Sequence, residues 1–203
     1  MPLPMLRNAA LWALAPVLLA YADTPFRTFG QRFRTVRWAE RLVLFSVELN
    51  LLLLWTLTKV FLQRDAALAP AGWETSMAMT GVALAWLGSA FAVWARVALG
   101  RVFSGTFALR PDHPLVTSGP YAIVRHPMYL GLVVLLVGLS LAWDSAVSLG
   151  FSALLLVPFV MHTVVEEQMF KAHFGDAWVV YASRVPRLLP GWKPRAPRDT
   201  TSA

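Results

Sequence analysis

Four long apolar stretches, interrupted by arginine-rich polar segments, constrain this chain more than any other feature. They run from about Trp38 to Leu62, Ser76 to Leu99, Pro127 to Trp143 and Ala146 to Val165. A bilayer core about 30 Å thick takes roughly 20 apolar residues of helix. In lipid each backbone N–H and C=O must be satisfied within the protein, and continuous apolar runs meet that demand as helices. A fifth stretch, about Ala9 to Ala22, is shorter and contains Pro16. The pattern predicts an all-α integral membrane protein of about five transmembrane helices, folded as one domain over 1–203: N-terminal spans to 95, a core from 96 to 192 and a flexible basic tail from 193.

Composition agrees where it bears on the solvent. Charged residues make up 14% of the chain and apolar ones 57%, whereas a soluble domain carries about 25% charged residues. The chain has no cysteine, which removes disulfides, thiolate metal sites and cysteine nucleophiles. The net charge of +7 does not indicate nucleic acid, because the arginines lie between apolar runs rather than on a polar surface.

Arg7, the apolar run after it and Ala20-Tyr21-Ala22 have the outline of a secretory signal. Cleavage there would send Arg27, Arg32, Arg34, Arg37 and Arg41 across the membrane, against the preference of such residues for the cytoplasm. An uncleaved span is therefore expected. With the N-terminus outside, the inner segments 23–41, 96–126 and 166–203 hold 15 of the 18 basic residues. Only Arg7, Lys59 and Arg64 stay outside, so the C-terminal tail is expected in the cytoplasm.

Leu141-Ala142-Trp143-Asp144-Ser145 is barely a turn, so the last two spans are expected to form an antiparallel hairpin. That would bring the start of one and the end of the other together at the inner face, and both ends are polar. Before and at the start of the Pro127–Trp143 span stand His113, Gly119-Pro120-Tyr121 and Arg125-His126-Pro127-Met128-Tyr129. At the end of the Ala146–Val165 span and past it stand His162, Glu166, Glu167, Phe174-Gly175, Tyr181 and Arg184-Val185-Pro186-Arg187. Ionisable groups at membrane depth are costly and mark function. Gly119-Pro120 predicts a turn, and Pro127 suits a first helical turn. His126 then sits at a helix N-terminus, where an anionic group is favoured. Arg125 can hold a carboxylate with two hydrogen bonds. Tyr129 shares a face with His126, and His162 with Glu166. Each has a plainer reading: an interface arginine or histidine, an aromatic belt for Tyr121 and Tyr129, a solvated tail for the glutamates, and helix packing for Gly131 and Gly138. The functional reading rests on their convergence. Glu48, inside the second span, reads as a structural partner of Arg41.

The run from His113 to Gly131, followed about 30 residues later by Glu166-Glu167 and then by Phe174-Gly175 and Tyr181, resembles the isoprenylcysteine carboxyl methyltransferase family, to which phospholipid N-methyltransferases are related. The resemblance covers roughly residues 96 to 190. It implies an S-adenosylmethionine (SAM) site, with His113, Leu115, Val116, Tyr121, His126, Pro127, Tyr129 and Glu166 as cofactor contacts. It implies a lipophilic small molecule, lipid or lipidated substrate as the acceptor, whether carboxylate, amine or thiol, reached by direct in-line methyl transfer. Arg125, His162 and Glu167 are the candidate catalytic groups: Arg125 for a carboxylate, His162 or Glu167 for an acceptor proton. The family's eukaryotic protein methyltransferases carry an arginine where this chain has His162, and often a tyrosine where it has Trp178.

No metal site is expected, because three good ligands are not evident around His162 and Glu166. No Gly-x-Gly-x-x-Gly run points to a dinucleotide-type fold. A non-enzymatic transporter subunit or scaffold would explain the spans but not the polar convergence.

Overall fold

Two prolines and a seam of small residues organise the helices. The computed structural model describes residues 2–21, 67–103 and 113–191. Among these, every regular element is helical: α1 (Leu3–Trp12), α2 (Leu14–Tyr21), α3 (Glu74–Leu99), α4 (Pro127–Ala142), α5 (Ala146–Leu154), α6 (Leu156–Phe174) and α7 (Asp176–Arg184), with single 3-10 turns at Gly100–Val102 and Gly119–Ala122. The expected span from Trp38 to Leu62, with Glu48 and Arg41, lies outside the described residues, as does the tail from 193.

Among the described residues, three stretches are long and apolar enough to cross a membrane: Leu3–Ala20, Glu74–Leu99 and Ala146–Phe174. Pro127–Ala142 is apolar but shorter, with 16 residues. Two differences from the sequence expectation have simple causes. The first helix begins at Leu3 rather than near Ala9, with Pro4 in its opening turn, where a missing N–H costs nothing. The last apolar stretch stays helical to Phe174, beyond Val165, and stops at Gly175 with φ 55°. Hydropathy ends where lipid-compatible residues end, while the helix continues until glycine adopts a left-handed conformation.

The prolines set the breaks. Helix α1 ends at Trp12, four residues before Pro16, and α5 ends at Leu154, four before Pro158. Proline has no N–H for the carbonyl four residues back, and its ring crowds that carbonyl. Each apolar segment is therefore two helices joined at a single residue, Ala13 in the first and Leu155 in the last.

The α3–α4 contact is built from small residues. Ala78, Gly81, Ala85, Gly88, Ala92 and Ala95 are buried on α3 at alternating spacings of three and four. A Cβ on Gly81 would strike the backbone of Gly138 and Ala142, and one on Gly88 that of Gly131 and Leu135. Reciprocally, Gly131 abuts Gly88 and Ala92, and Gly138 abuts Gly81 and Ala85. Gly131 and Gly138 are thus packing residues. Where lipid removes the hydrophobic drive between helices, such close approach maximises dispersion contact.

Helices α1 and α2 close over this pair. Ala10, Ala13 and Val17 join Ala85, Ala92, Leu135, Leu139 and Ala142 in one core. Trp86 Nε1 donates to the Ala9 carbonyl at 3.1 Å. At the α4–α5 turn, Asp144 (φ 52°) accepts from the Leu68 and Ala69 N–H groups at 2.7 and 2.8 Å. The Ser145 hydroxyl caps α5 by accepting from Ser148 N–H at 3.0 Å. The Ser140 and Ser152 hydroxyls meet at 3.0 Å, so α5 lies against α4 just past the turn.

Candidate functional site

Pro127 opens α4 and places His126 at its N-cap. From the first turn Tyr129 points toward α6, where its hydroxyl donates to Glu166 Oε1 at 3.1 Å. The His126 imidazole lies between two carboxylates, with Nδ1 at 3.1 Å from Glu166 Oε2 and Nε2 at 3.2 Å from Glu167 Oε1. Only a doubly protonated ring can donate to both. Burial alone would lower this imidazole, but its hydrogen bonds to Glu166 and Glu167, and their charges, hold it above the ordinary 6.5.

Glu167 is the hub of the cluster. Arg187 grips it in a two-pronged pair, Nε to Oε1 at 2.9 Å and Nη2 to Oε2 at 2.6 Å. Arg125 Nη2 lies 3.3 Å from Oε1. Such forked guanidinium–carboxylate pairs are strong and directional. Burial pushes the Arg125 guanidinium down against the pull of Glu167, while its hydrogen bonds to Glu167 push Arg187 up. Glu166 has a lighter set of partners, a phenol and the shared imidazole, and its side chain is 23% exposed against 12% for Glu167.

An aromatic wall borders the carboxylates. Tyr129 packs on Phe159 at 5.3 Å between ring centroids, and His162, buried on α6 one turn before Glu166, meets Tyr129 edge-on at 6.2 Å. The Arg125 guanidinium faces Trp178 at 5.9 Å, and Trp178 packs at a tilt against Phe170 at 5.0 Å.

The approach to α4 is tied down from two sides. Gly119, at φ 62°, makes the turn that buries Pro120 and Tyr121. The Tyr121 hydroxyl donates to the Ala95 carbonyl at 3.4 Å, and the Tyr181 hydroxyl donates to the Tyr121 carbonyl at 2.7 Å. Burial pushes the Tyr181 phenol up, so it remains a donor. The segment after α7 then pairs with the α4 cap, Arg125 N–H to Pro186 O at 2.8 Å and His126 N–H to Arg187 O at 3.1 Å.

The structure therefore joins Arg125, His126, Tyr129, His162, Glu166 and Glu167 in one place, with Pro127 setting the helix start. His113 meets Phe174 at 6.3 Å, eight residues past Glu166 and so about 12 Å further along the helix. Leu115 and Val116 are half-buried in the extended segment that follows. Tyr121 is committed to α3 and α7. Sequence reading quoted Arg187 and did not place it in the site. Its signal was a cation within reach of a glutamate pair that already had an arginine and a histidine. Phe159 was missed because an aromatic residue in an apolar span is ordinary.

The model of the phospholipid methyltransferase family matches residues 76–177, half of the chain, from the first turn of α3 into α7. The chain belongs to this family. Protein-S-isoprenylcysteine O-methyltransferase B of Arabidopsis thaliana is 33% identical over 113 residues, 54% of this chain and 57% of that protein. The protein-S-isoprenylcysteine O-methyltransferase of Schizosaccharomyces pombe is 37% identical over 99 residues, 47% of this chain and 42% of its own length. The cobalt-zinc-cadmium resistance protein CzcN of Cupriavidus metallidurans is 30% identical over 142 residues, 67% of this chain and 62% of that protein. The chain thus spans about half the length of the first two relatives. The resemblance drawn from the residues stands, and the family's matched region contains the whole carboxylate cluster except Arg187. A methyltransferase family implies a methyl donor.

Proposed function

We propose that this chain is a SAM-dependent membrane methyltransferase that acts on a lipophilic or membrane-embedded acceptor by direct in-line transfer. The observation that carries the reading is the meeting of Tyr129 and His126 with Glu166 at the α4–α6 contact. The chain is read as one domain with its C-terminal tail on the cytoplasmic side, where the basic residues gather.

The residues present fit the cofactor. Glu166, the more exposed carboxylate, suits an ammonium group. Arg125 offers a buried Nε with no partner among the described residues, which suits a carboxylate. Tyr129 and Phe159 present ring faces that attract a sulfonium cation. His113, against Phe174, lies about 12 Å further along α6, a span suited to an elongated ligand, and Leu115 and Val116 follow it in the chain.

When bound, SAM supplies a methyl group already activated on a positively charged sulfur. The chain's part is then to orient, to exclude water and to handle a proton. Tyr129 and His126 hold Glu166 at a fixed position. Glu167, engaged by two arginines and an imidazole, fixes those cations. In this reading His162, beside Tyr129 and one turn from Glu166, accepts a proton from an amine or thiol acceptor. The apolar residues of α4 and α6 suit an apolar acceptor.

Isothermal titration of the full chain in detergent tests the reading. SAM binding to the wild type, abolished in E166A, is expected. Equal binding by both would overturn the assignment of Glu166, and no binding by the wild type would overturn the enzyme reading in favour of a scaffold. A labelled methyl-transfer assay on a panel of lipid amines, prenylated cysteines and thiols identifies the acceptor.

A further inference from the structure

Two adjacent glutamates face one histidine, and they are not equivalent. Arg187 makes them so. Its side chain grips Glu167 with two hydrogen bonds, at 2.9 and 2.6 Å. Its carbonyl accepts from the His126 N–H at 3.1 Å, while its neighbour Pro186 accepts from Arg125 N–H at 2.8 Å. One residue outside the membrane helices thus holds both the backbone of His126 and that ring's partner on α6.

We infer that Arg187 is a positioning residue that sorts the carboxylate pair: it commits Glu167 to the structure and leaves Glu166 as the carboxylate offered to a cationic ligand group. This rests on the methyl-donor reading for the identity of that cation.

The charges support the sorting. Glu167 has Arg125, Arg187 and a shared imidazolium, so positive groups outnumber its single charge. Glu166 has the other half of that imidazolium and a neutral phenol. Without Arg187, Glu167 would compete fully for His126, and the ring would turn from Glu166 toward it. The groups facing His126 are Arg125 and Tyr129 from α4 and its cap, His162, Glu166 and Glu167 from α6, and Arg187 from the segment after α7. Tyr181 of α7 stands beside Arg125 and Glu167. Removing Arg187 deletes a repelling positive charge and frees a negative one, and both changes favour the imidazolium. The imidazole should therefore titrate at higher pH in R187Q than in the wild type. A merely structural brace behaves oppositely: if its loss let water in and separated the ring from the glutamates, the ring would titrate nearer its ordinary value, below the wild type.

The test is NMR titration of the ring of His126 in the full chain, histidine-labelled in detergent micelles and assigned with H126N, together with calorimetry of SAM binding. R187Q is expected to raise the His126 midpoint and weaken SAM binding by about tenfold. R187K, which keeps the charge and loses the fork, should fall between R187Q and wild type. In an E167Q background R187Q should have no further effect on SAM affinity, because Arg187 acts through Glu167. An unchanged or lowered midpoint in R187Q overturns the inference, and so does an additive effect in E167Q. Absence of SAM binding in the wild type overturns the methyl-donor reading, and the NMR titration still decides the role of Arg187.

Discussion

Tyr129 and Glu166 are 37 residues apart in sequence and 3.1 Å apart in space, a phenol donating to a carboxylate across the gap between α4 and α6. Near the turn α5 lies against α4, and α6 follows after Leu155. At the other end side chains make the connection, with Phe159 and His162 of α6 packed against the Tyr129 ring.

Removing the hydroxyl alone isolates this bridge. Y129F keeps the ring against Phe159 and His162 and deletes one hydrogen bond to a charged acceptor, an interaction worth about 1.5–3 kcal/mol. SAM affinity measured by calorimetry is expected to fall about tenfold, with little change in the far-UV circular dichroism spectrum. Wild-type affinity in Y129F would show that the phenol does not hold Glu166 in place.

The raised imidazole of His126 sets a pH dependence. The folded form binds the proton more tightly than the unfolded form, whose value lies near 6.5. The stability this gives is complete below 6.5 and is lost as pH rises through the higher folded value. Thermal midpoints in detergent should therefore drop as pH climbs above neutrality, and H126N should flatten that part of the profile. A wild-type midpoint that rises over the same range would contradict the doubly donating ring.

The small-residue seam predicts a contrast between two glycines. A Cβ at Gly88 would collide with the backbone of Leu135 and Gly131, whereas one at Gly150 in α5 meets nothing within 4 Å. G88A is expected to lower stability by about 1–3 kcal/mol through overpacking. G150A should be neutral or gain about 0.5–1 kcal/mol from helix propensity. Thermal unfolding of both variants in the same detergent compares them directly.

Y181F removes a donor to the buried Tyr121 carbonyl. A lost hydrogen bond costs about 0.5–1.5 kcal/mol, and the anchor between α7 and the Gly119 turn goes with it. Hydrogen exchange should speed up at Arg125 and His126, whose amides bond to the segment after α7. Unchanged protection there would mean that the backbone pairing stands without Tyr181.

Much of this arrangement was legible beforehand, for identifiable reasons. Arg125, His126, Tyr129, Glu166 and Glu167 stood out because polar groups beside apolar runs need a partner or a purpose, and Pro127 and Gly119 announced the local backbone. The break at Leu155 had a visible cause in Pro158, yet hydropathy, which averages over a span, passes over it. The spacing of Ala78, Gly81, Ala85, Gly88, Ala92 and Ala95 was equally visible, but small residues register as mildly apolar and their meaning appears only when a second backbone lies against them. The pairing of Arg125 and His126 with Pro186 and Arg187 leaves almost no trace in sequence, because the acceptors are main-chain carbonyls that every residue carries.

Pro158 sits eight residues ahead of Glu166 and offers no N–H to the Leu154 carbonyl. The half-span that carries both acids is therefore joined to α5 by one backbone tether fewer, and two relatives with identical acids and a shifted proline would differ in how firmly those acids are held.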